Sequence, residues 1–241
     1  MRKEAHGNDM ARKLQTIGFD ADDTLWHNER FFKLTQDRFE ALLSDHAETD
    51  LLHDRLIAAE RRNIGHYGFG VKGFVLSMIE TAIEVTDGAV PGHVIQQILN
   101  AGQDMLAHPI ELLPHAQSTV EALADSHRLL LITKGDLLHQ ERKLAQSGLG
   151  DLFDDVAIVS DKTVETYRRV FTAQSGGAEA AMMVGNSMRS DVVPAVEAGS
   201  WGVHVPHDLE WDLEKADAPV SPRFRAIGDL GDLPPLVSEI G

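Results

Sequence analysis

Short apolar runs that alternate with helix-like segments constrain the fold of this chain more than any other feature. Five runs have the length and composition of buried strands, and segments with helical periodicity separate the later ones. The runs cover residues 16–21, 128–133, 155–160, 181–185 and 201–205. Such alternation predicts an α/β fold with a doubly wound parallel sheet, in which ligands bind at the carboxyl ends of the strands. The polar residues that follow the runs are therefore the candidate site residues.

Residues 28–109 interrupt this alternation, because they show helical periodicity and no convincing strand. We expect a small all-helical insertion that overhangs the strand ends, where a lid over a site would lie. The predicted organisation is a flexible N-terminal tail (residues 1–13), an α/β core (14–27 and 110–241) and a helical insertion (28–109). An edge strand and a closing helix are predicted near residues 227–235.

The first run ends in an acidic cluster that contains two carboxyl residues one position apart, Asp20 and Asp22. Close carboxylates repel each other, and a divalent cation would relieve that repulsion. An oxygen-rich site without cysteine suits Mg²⁺ better than a softer metal. An acidic turn after a strand is also compatible with a solvated turn or a helix cap. The pair alone therefore leaves its role open.

Polar residues also follow the fourth run, where Gly185 leads into Asn186 and, five residues later, Asp191. Asn186 and Asp191 could complete a metal site, although Asp191 could equally cap the following helix. Thr133 ends the second run and Lys162 follows the third. A hydroxyl and a positive charge suit the oxygens of a phosphoryl group, although each residue alone is compatible with a cap or a surface position.

The order of these residues carries more information than any one of them. It is Asp-x-Asp after the first strand, Thr after the second, Lys after the third and Gly-Asn-Ser-x-x-x-Asp after the fourth. In this order the chain resembles the phosphatase branch of the haloacid dehalogenase superfamily, over residues 14–22 and 112–205. The helical insertion is similar to the helical cap of that family.

The resemblance implies a reaction and a role for each residue. Asp20 corresponds to the nucleophile that forms an aspartyl phosphate, and Asp22 to the acid and base. Mg²⁺ would be held by a carboxylate oxygen of Asp20, the backbone carbonyl of Asp22, and Asn186 or Asp191 of the fourth motif. Thr133 and Lys162 would bind the phosphoryl group. The dehalogenases of the family lack an aspartate at the position of Asp22, so this residue favours phosphate chemistry.

The sequence departs from the family pattern at three places. Asp23 stands where glycine is usual, and Asn186 stands where aspartate is usual, which removes one anionic metal ligand. Lys162 is followed by Thr163 rather than by the frequent proline. Lys134 lies next to Thr133 and is a competing candidate for the phosphate-binding lysine, but the motif order favours Lys162.

The segment 63–72 is the candidate for substrate selection, because glycines flank its aromatic residues. As a loop it would close over the site, with His66, Tyr67 or Lys72 touching the leaving group. The alternative is a helix connection with packed aromatic residues.

The composition narrows the possible partners. The chain has 22 Lys and Arg against 38 Asp and Glu, a formal charge of −16, which disfavours nucleic acid and anionic lipid. It has no cysteine, and no apolar stretch near its start resembles a signal peptide or a membrane span, so we expect a cytoplasmic protein. The expected partner is a small phosphorylated metabolite, and the oligomeric state is not predicted.

Three other functions stay open on the sequence. A phosphotransferase or mutase would pass the group from Asp20 to another hydroxyl, and a dehalogenase would use the same fold for another reaction. A metabolite-binding protein with poor turnover is suggested by Asn186 and Asp23.

Overall fold

The computed structural model describes residues 13–241, so all but the last residue of the predicted tail lies outside the described residues. Within that range, six parallel strands form one sheet in the order β3-β2-β1-β4-β5-β6. The strands are β1 (Thr16–Phe19), β2 (Arg128–Lys134), β3 (Asp155–Val159), β4 (Ala181–Gly185), β5 (Trp201–His204) and β6 (Phe224–Ala226). The predicted α/β fold is confirmed, with β1 at the centre of the sheet.

Four helices follow β1 before the chain returns to the sheet. They are α1 (Glu29–Leu42), α2 (Thr49–Tyr67), α3 (Val71–Val85) and α4 (Gly92–Ala107). Apolar residues from all four helices form a core of their own, which includes Phe39, Leu56, Met78 and Ile98. This helical segment, here called the cap, lies where the all-helical insertion was predicted.

Five helices follow the cap and pack on the sheet. They are α5 (Ala116–Ala124), α6 (Leu137–Ser147), α7 (Val164–Thr172), α8 (Val193–Glu197) and α9 (Leu233–Ile240). All four residues of strand β1 are buried. Ile17 and Phe19 belong to the apolar cluster on one face of the sheet, and a separate cluster covers the other face. On the opposite face, a side chain at Gly18 would lie 2.8 Å from Ile132 Cδ1. The continuous apolar run at 16–19 is what a strand covered on both sides requires.

The two segments that join the sheet to the cap run side by side. The amide of His27 donates to the carbonyl of Glu111 at 3.0 Å, and the amide of Leu113 donates to the carbonyl of Leu25 at 2.9 Å. Trp26 and Leu112 form an antiparallel bridge between them. The outgoing and returning chains are therefore tied to each other at the junction.

Two elements differ from the sequence prediction. Strand β6 ends at Ala226, just before the region around residue 227 where an edge strand was expected. Residues 63–72 are not one loop, because α2 continues to Tyr67 and α3 begins at Val71. Gly68 and Gly70 adopt φ angles of 72° and 110°, which stop α2 and leave a connection of three residues. No helix among residues 13–241 is long and apolar enough to cross a membrane.

Candidate active site

The carboxyl ends of four strands meet in one cavity between the sheet and the cap. Its volume is about 160 Å³. Residues from all four predicted motifs line it: Asp20, Asp22, Thr133, Lys134, Lys162, Asn186 and Asp191. The topology brings them together because β2, β1 and β4 are adjacent in the sheet and β3 lies next to β2.

Asp20 lies at the floor of this cavity and is 6% exposed. Its Oδ1 atom accepts a hydrogen bond from Lys162 Nζ, which also donates to Asp191 Oδ1 at 2.7 Å. Burial raises the pKa of Asp20 to about 7, because the lowering effect of Lys162 is smaller and Asp191 adds to the rise. Burial disfavours the Lys162 cation, but Asp191 and Asp20 raise its pKa above the ordinary value. Two buried carboxyl groups thus share one ammonium group.

Asp22 is held by a separate set of donors. Its carboxylate accepts from Lys143 Nζ at 2.8 and 2.9 Å, from Gln140 Nε2 at 3.0 Å and from Trp26 Nε1 at 2.7 Å. Burial alone would raise the pKa of Asp22, but Lys143 and the hydrogen bonds outweigh it and lower the pKa. Lys143 also donates to Asn28 Oδ1 at 2.8 Å. Asp22 is thus held in position by its own cation.

Gln140 and Lys143 were not identified from the sequence. They lie three residues apart on α6, so both face the cavity from the same side of the helix. The i, i+3 spacing directly after the Thr133 motif is the only sequence signal for them. Gln140 Nε2 also donates to Thr133 Oγ1 at 2.9 Å. The helix therefore connects the second motif with the carboxylate of Asp22.

The oxygen atoms around Asp20 suit a hard divalent cation. Thr24 Oγ1 lies 3.1 Å from Asp20 Oδ2 and 3.3 Å from Asn186 Oδ1, which places these two oxygens around one hydroxyl. Asp191 Oδ2 accepts from the amide of Ser187 at 2.9 Å. The described residues contain no group of three His, Cys, Asp or Glu side chains arranged to hold a metal. A site here would therefore combine two carboxylates with amide and backbone oxygens, a donor set that fits Mg²⁺.

Gly185 makes room for the carboxylate of Asp191. A Cβ atom at this position would lie 2.2 Å from Asp191 Oδ2, well inside van der Waals contact. The residues after β4 form a π-type turn, Met188–Val192, which leads into α8. Asp191 lies in that turn and is 1% exposed. The glycine and the turn together bring this carboxylate against the end of β4.

Lys134 has a different environment from Lys162. Its Nζ atom donates to Glu214 and, at 2.8 Å, to Ser190 Oγ, and it lies 3.9 Å from the centre of the Phe69 ring. Glu214 Oε2 accepts from the hydroxyls of Ser187 and Ser190, both at 2.5 Å. Lys162, not Lys134, therefore contacts Asp20. Glu214 follows β5 in a short 3₁₀ turn, and no motif in the sequence pointed to it.

Asp23 joins the turn after β1 to the cap. It adopts a φ angle of 61°, which aspartate tolerates better than branched residues do. Its carboxylate accepts from the amides of Asn28 at 2.8 Å and Glu29 at 2.9 Å, at the start of α1. Burial raises the pKa of Asp23 to about 6 although these amides lower it. The residue that replaces the usual glycine thus caps the first cap helix.

The cap contributes residues to the cavity that differ from those expected. His66 and Tyr67 lie in the last turn of α2 and are exposed, and neither lines the cavity. Lys72 does not line it either, and its Nζ atom instead contacts Asp136 Oδ2 at 2.7 Å. The interpretation of 63–72 as one loop is corrected, since only residues 68–70 connect the two helices. Phe69 in this connection lines the cavity and packs edge-on against Trp211.

Comparison with known proteins identifies the class to which this fold and site belong. The haloacid dehalogenase-like hydrolase family matches residues 14–199. The chain therefore belongs to the haloacid dehalogenase-like hydrolases. A glyceraldehyde 3-phosphate phosphatase of Methanothermobacter thermautotrophicus is 23% identical over 209 residues, which cover 81% of this chain and 87% of the relative.

Solved structures agree with this family. A haloacid dehalogenase-like hydrolase from Xanthomonas campestris is 40% identical, with a TM-score of 0.85 and coverage of 94% of this chain and 91% of that one. The magnesium-bound hydrolase YfnB of Bacillus subtilis has a TM-score of 0.65 at 18% identity and covers 94% and 100% of the two chains. The L-2-haloacid dehalogenase of Xanthobacter autotrophicus has a TM-score of 0.66 at 18% identity, with 95% and 100% covered. The last two share the fold, and one of them binds magnesium.

Proposed function

We propose that this hydrolase cleaves phosphate monoesters of small metabolites and depends on Mg²⁺. One observation carries the proposal: a buried Asp20 shares the Lys162 ammonium with Asp191, while Asp22, two residues away, is bound by a separate cation. The first carboxyl group is suited to attack phosphorus, and the second is placed to exchange a proton with the leaving oxygen. The same cavity offers Thr133 and Lys162 to the oxygens of the phosphoryl group.

The reaction proceeds in two halves. A carboxylate oxygen of Asp20 attacks phosphorus, the phosphorus–oxygen bond to the leaving group breaks, and Asp22 supplies the proton that the leaving oxygen takes up. Asp22 then accepts a proton from water, whose oxygen attacks phosphorus, so that the bond to Asp20 breaks and phosphate leaves. Lys162 offsets the charge on the phosphoryl oxygens in both halves.

The residues that would hold Mg²⁺ are Asp20, Asp191, Asn186 and the backbone carbonyl of Asp22. The ion would offset negative charge on the phosphoryl oxygens and on the two carboxylates. The raised pKa of Asp20 supports this assignment, because burial and the neighbouring Asp191 leave its charge incompletely compensated by Lys162 alone. Asn186 in place of an aspartate lowers the anionic charge of the set, so we expect weaker Mg²⁺ binding than with a carboxylate there.

Phosphate chemistry is preferred over dehalogenation because of Asp22. Lys143, Gln140 and Trp26 position the Asp22 carboxyl group in the cavity, where it can exchange a proton with an ester oxygen. Halide leaves as an anion and needs no such proton. The relative named as a glyceraldehyde 3-phosphate phosphatase supports the same choice. A phosphotransferase or mutase would use the same residues, and its products would distinguish it. A cytoplasmic location stays a prediction.

The test is release of inorganic phosphate from an aryl phosphate in the presence of Mg²⁺. We expect activity that is lost on chelation and lost in Asp20→Asn, while the exposed Asp151→Asn control keeps it. Robust phosphate release by Asp20→Asn would overturn the proposal. Halide release from a 2-haloacid would instead identify a dehalogenase, and transfer to a sugar hydroxyl with little free phosphate would identify a transferase or mutase.

A further inference from the structure

The cavity carries far more negative than positive charge. Among the described residues, eight carboxyl side chains line it, against three lysines. A bound Mg²⁺ ion and a phosphate dianion would leave this excess unchanged, because their charges cancel. A positive charge on the group attached to the phosphate would reduce this excess.

The three lysines of the cavity are already paired with carboxylates. Lys162 contacts Asp20 and Asp191, Lys143 contacts Asp22, and Lys134 contacts Glu214.

Glu29 and Glu60 differ from the other carboxyl groups that line the cavity. Asp136 pairs with Lys72, and Asp23 is held by two backbone amides and lies 3.5 Å from His207. Within residues 13–241 no cation forms an ion pair with either glutamate. Among the described residues, these two are the cavity-lining carboxyl groups without a cation partner.

The two glutamates also belong to a different part of the fold from the phosphate-binding residues. Glu29 begins α1 and Glu60 lies in α2, so both belong to the cap, whereas Asp20, Thr133 and Lys162 lie at or just after the carboxyl ends of strands of the sheet. A phosphate held at the sheet would point its leaving group toward the cap. Burial raises the pKa of Glu29 to about 8 and that of Glu60 to about 7, and the charges of Asp23 and Glu60 add to the rise at Glu29. A hydrogen bond from Trp211 favours the ionised form of Glu60.

We propose that Glu29 and Glu60 bind a protonated amine on the leaving group, so that the preferred substrates are small aminoalkyl phosphates. The inference rests on the proposed phosphohydrolase activity and adds the substrate class to it. An ammonium group supplies the cation that both carboxylates lack. A carboxylate on the leaving group would meet repulsion from both glutamates.

The test compares three esters of similar size in the presence of Mg²⁺: 2-aminoethyl phosphate, 2-hydroxyethyl phosphate and phosphoglycolate. For the wild-type chain we expect kcat/KM to be at least about tenfold higher for the ammonium ester than for the hydroxyl ester, and lowest for the carboxylate, since a tenfold ratio needs about 1.4 kcal/mol. Glu60→Gln and Glu29→Gln should each lower the ammonium-to-hydroxyl ratio by about tenfold. Glu141→Gln, on the exposed side of α6, is the matched control and should keep the ratio.

The ratio separates recognition from folding, because a damaged variant loses activity on both esters alike. Calorimetric titration of Asp20→Asn with the same esters provides a readout that needs no turnover, and tighter binding of the ammonium ester is expected. Equal or better use of the hydroxyl ester by the wild type, or an unchanged ratio in both glutamine variants, overturns the substrate class and leaves the phosphohydrolase intact. Absence of phosphate release from all esters, including aryl phosphates, refutes the proposed function, and the titration then still decides the amine preference.

Discussion

Glu29→Gln should stabilise the protein, and the gain should grow with pH. The folded state raises the pKa of Glu29 from 4.5 to about 8, chiefly by burial. A carboxyl group with a raised pKa in the folded state does not lower the free energy of unfolding at pH values below its unfolded pKa, because it is protonated in both states. Its cost grows as pH rises through the interval from 4.5 to 8 and is constant above it. Glutamine keeps the shape of the side chain and removes the charge.

The size of the effect follows from the same pKa. At about 1.4 kcal/mol per pKa unit, the full cost is on the order of 5 kcal/mol. Glu29 is half-buried rather than fully buried, so solvent screening reduces this figure, and we expect about 1 to 3 kcal/mol above pH 8. Near pH 5 the difference between the two proteins should be small.

Urea denaturation at several pH values between 5 and 9 measures this difference, with the midpoint and slope fitted at each pH. Glu141→Gln serves as the control, because its exposed side chain should give no pH-dependent gain. A stability gain in Glu29→Gln that is the same at pH 5 and pH 9, or a loss at pH 9, would refute the idea that the folded state disfavours the ionised form of Glu29. The result is independent of catalysis, and with the kinetic test it would show a residue that trades stability for recognition.

Three further substitutions test other parts of the site. Gly185→Ala should displace the Asp191 carboxylate, since its Cβ would lie 2.2 Å from Oδ2, and lower phosphate release about 100-fold; an active variant with an unchanged melting temperature would contradict this. Lys143→Met removes the main cause that lowers the pKa of Asp22, which must be protonated to donate to the leaving oxygen. The alkaline limb of the pH profile of kcat/KM should therefore move to higher pH, and an unmoved limb would argue against that pairing. Phe69→Ala opens the contact between cap and sheet, and steady-state kinetics should show KM raised about threefold or more; unchanged kinetics would remove Phe69 from the site.

The sheet and the residues at its strand ends could be predicted from the sequence for a physical reason. Buried parallel strands require continuous apolar runs, and these are local features of the chain. Asp20, Lys162 and Asp191 follow such runs directly or within a few residues, so topology alone brings them together. These three site residues could therefore be predicted without knowledge of any contact between helices that are distant in the chain.

The partners of Asp22 and Lys134 could not be predicted in this way. Gln140, Lys143 and Glu214 act through contacts across 118, 121 and 80 residues of chain, respectively. Apart from the i, i+3 spacing of Gln140 and Lys143, nothing in their local sequence distinguishes these residues from ordinary polar residues of a helix or a turn. Their roles arise from the way α6 and the segment after β5 pack around the strand ends.

The cap connection shows a second kind of limit. Glycines suggested a long loop, but the single Gly65 inside α2 is tolerated and only Gly68 and Gly70 need positive φ. The end of α2 is set by the positive φ angle of Gly68 and not by the number of glycines in the segment. As a result, Phe69 faces the cavity instead of His66 or Tyr67.

The paired strands at the junction limit how the cap can move. Hydrogen bonds join residue 27 to residue 111 and residue 113 to residue 25, so the outgoing and returning chains behave as a single ribbon. Two hydrogen-bonded segments bend out of their common plane far more easily than they deform within it. Opening of the cap for substrate entry would therefore be a hinge motion away from the sheet and not a rotation of the cap about the junction. Asp23 accepts hydrogen bonds from the start of α1 and lies in the same turn as Asp20, so the hinge lies within a few residues of the nucleophile.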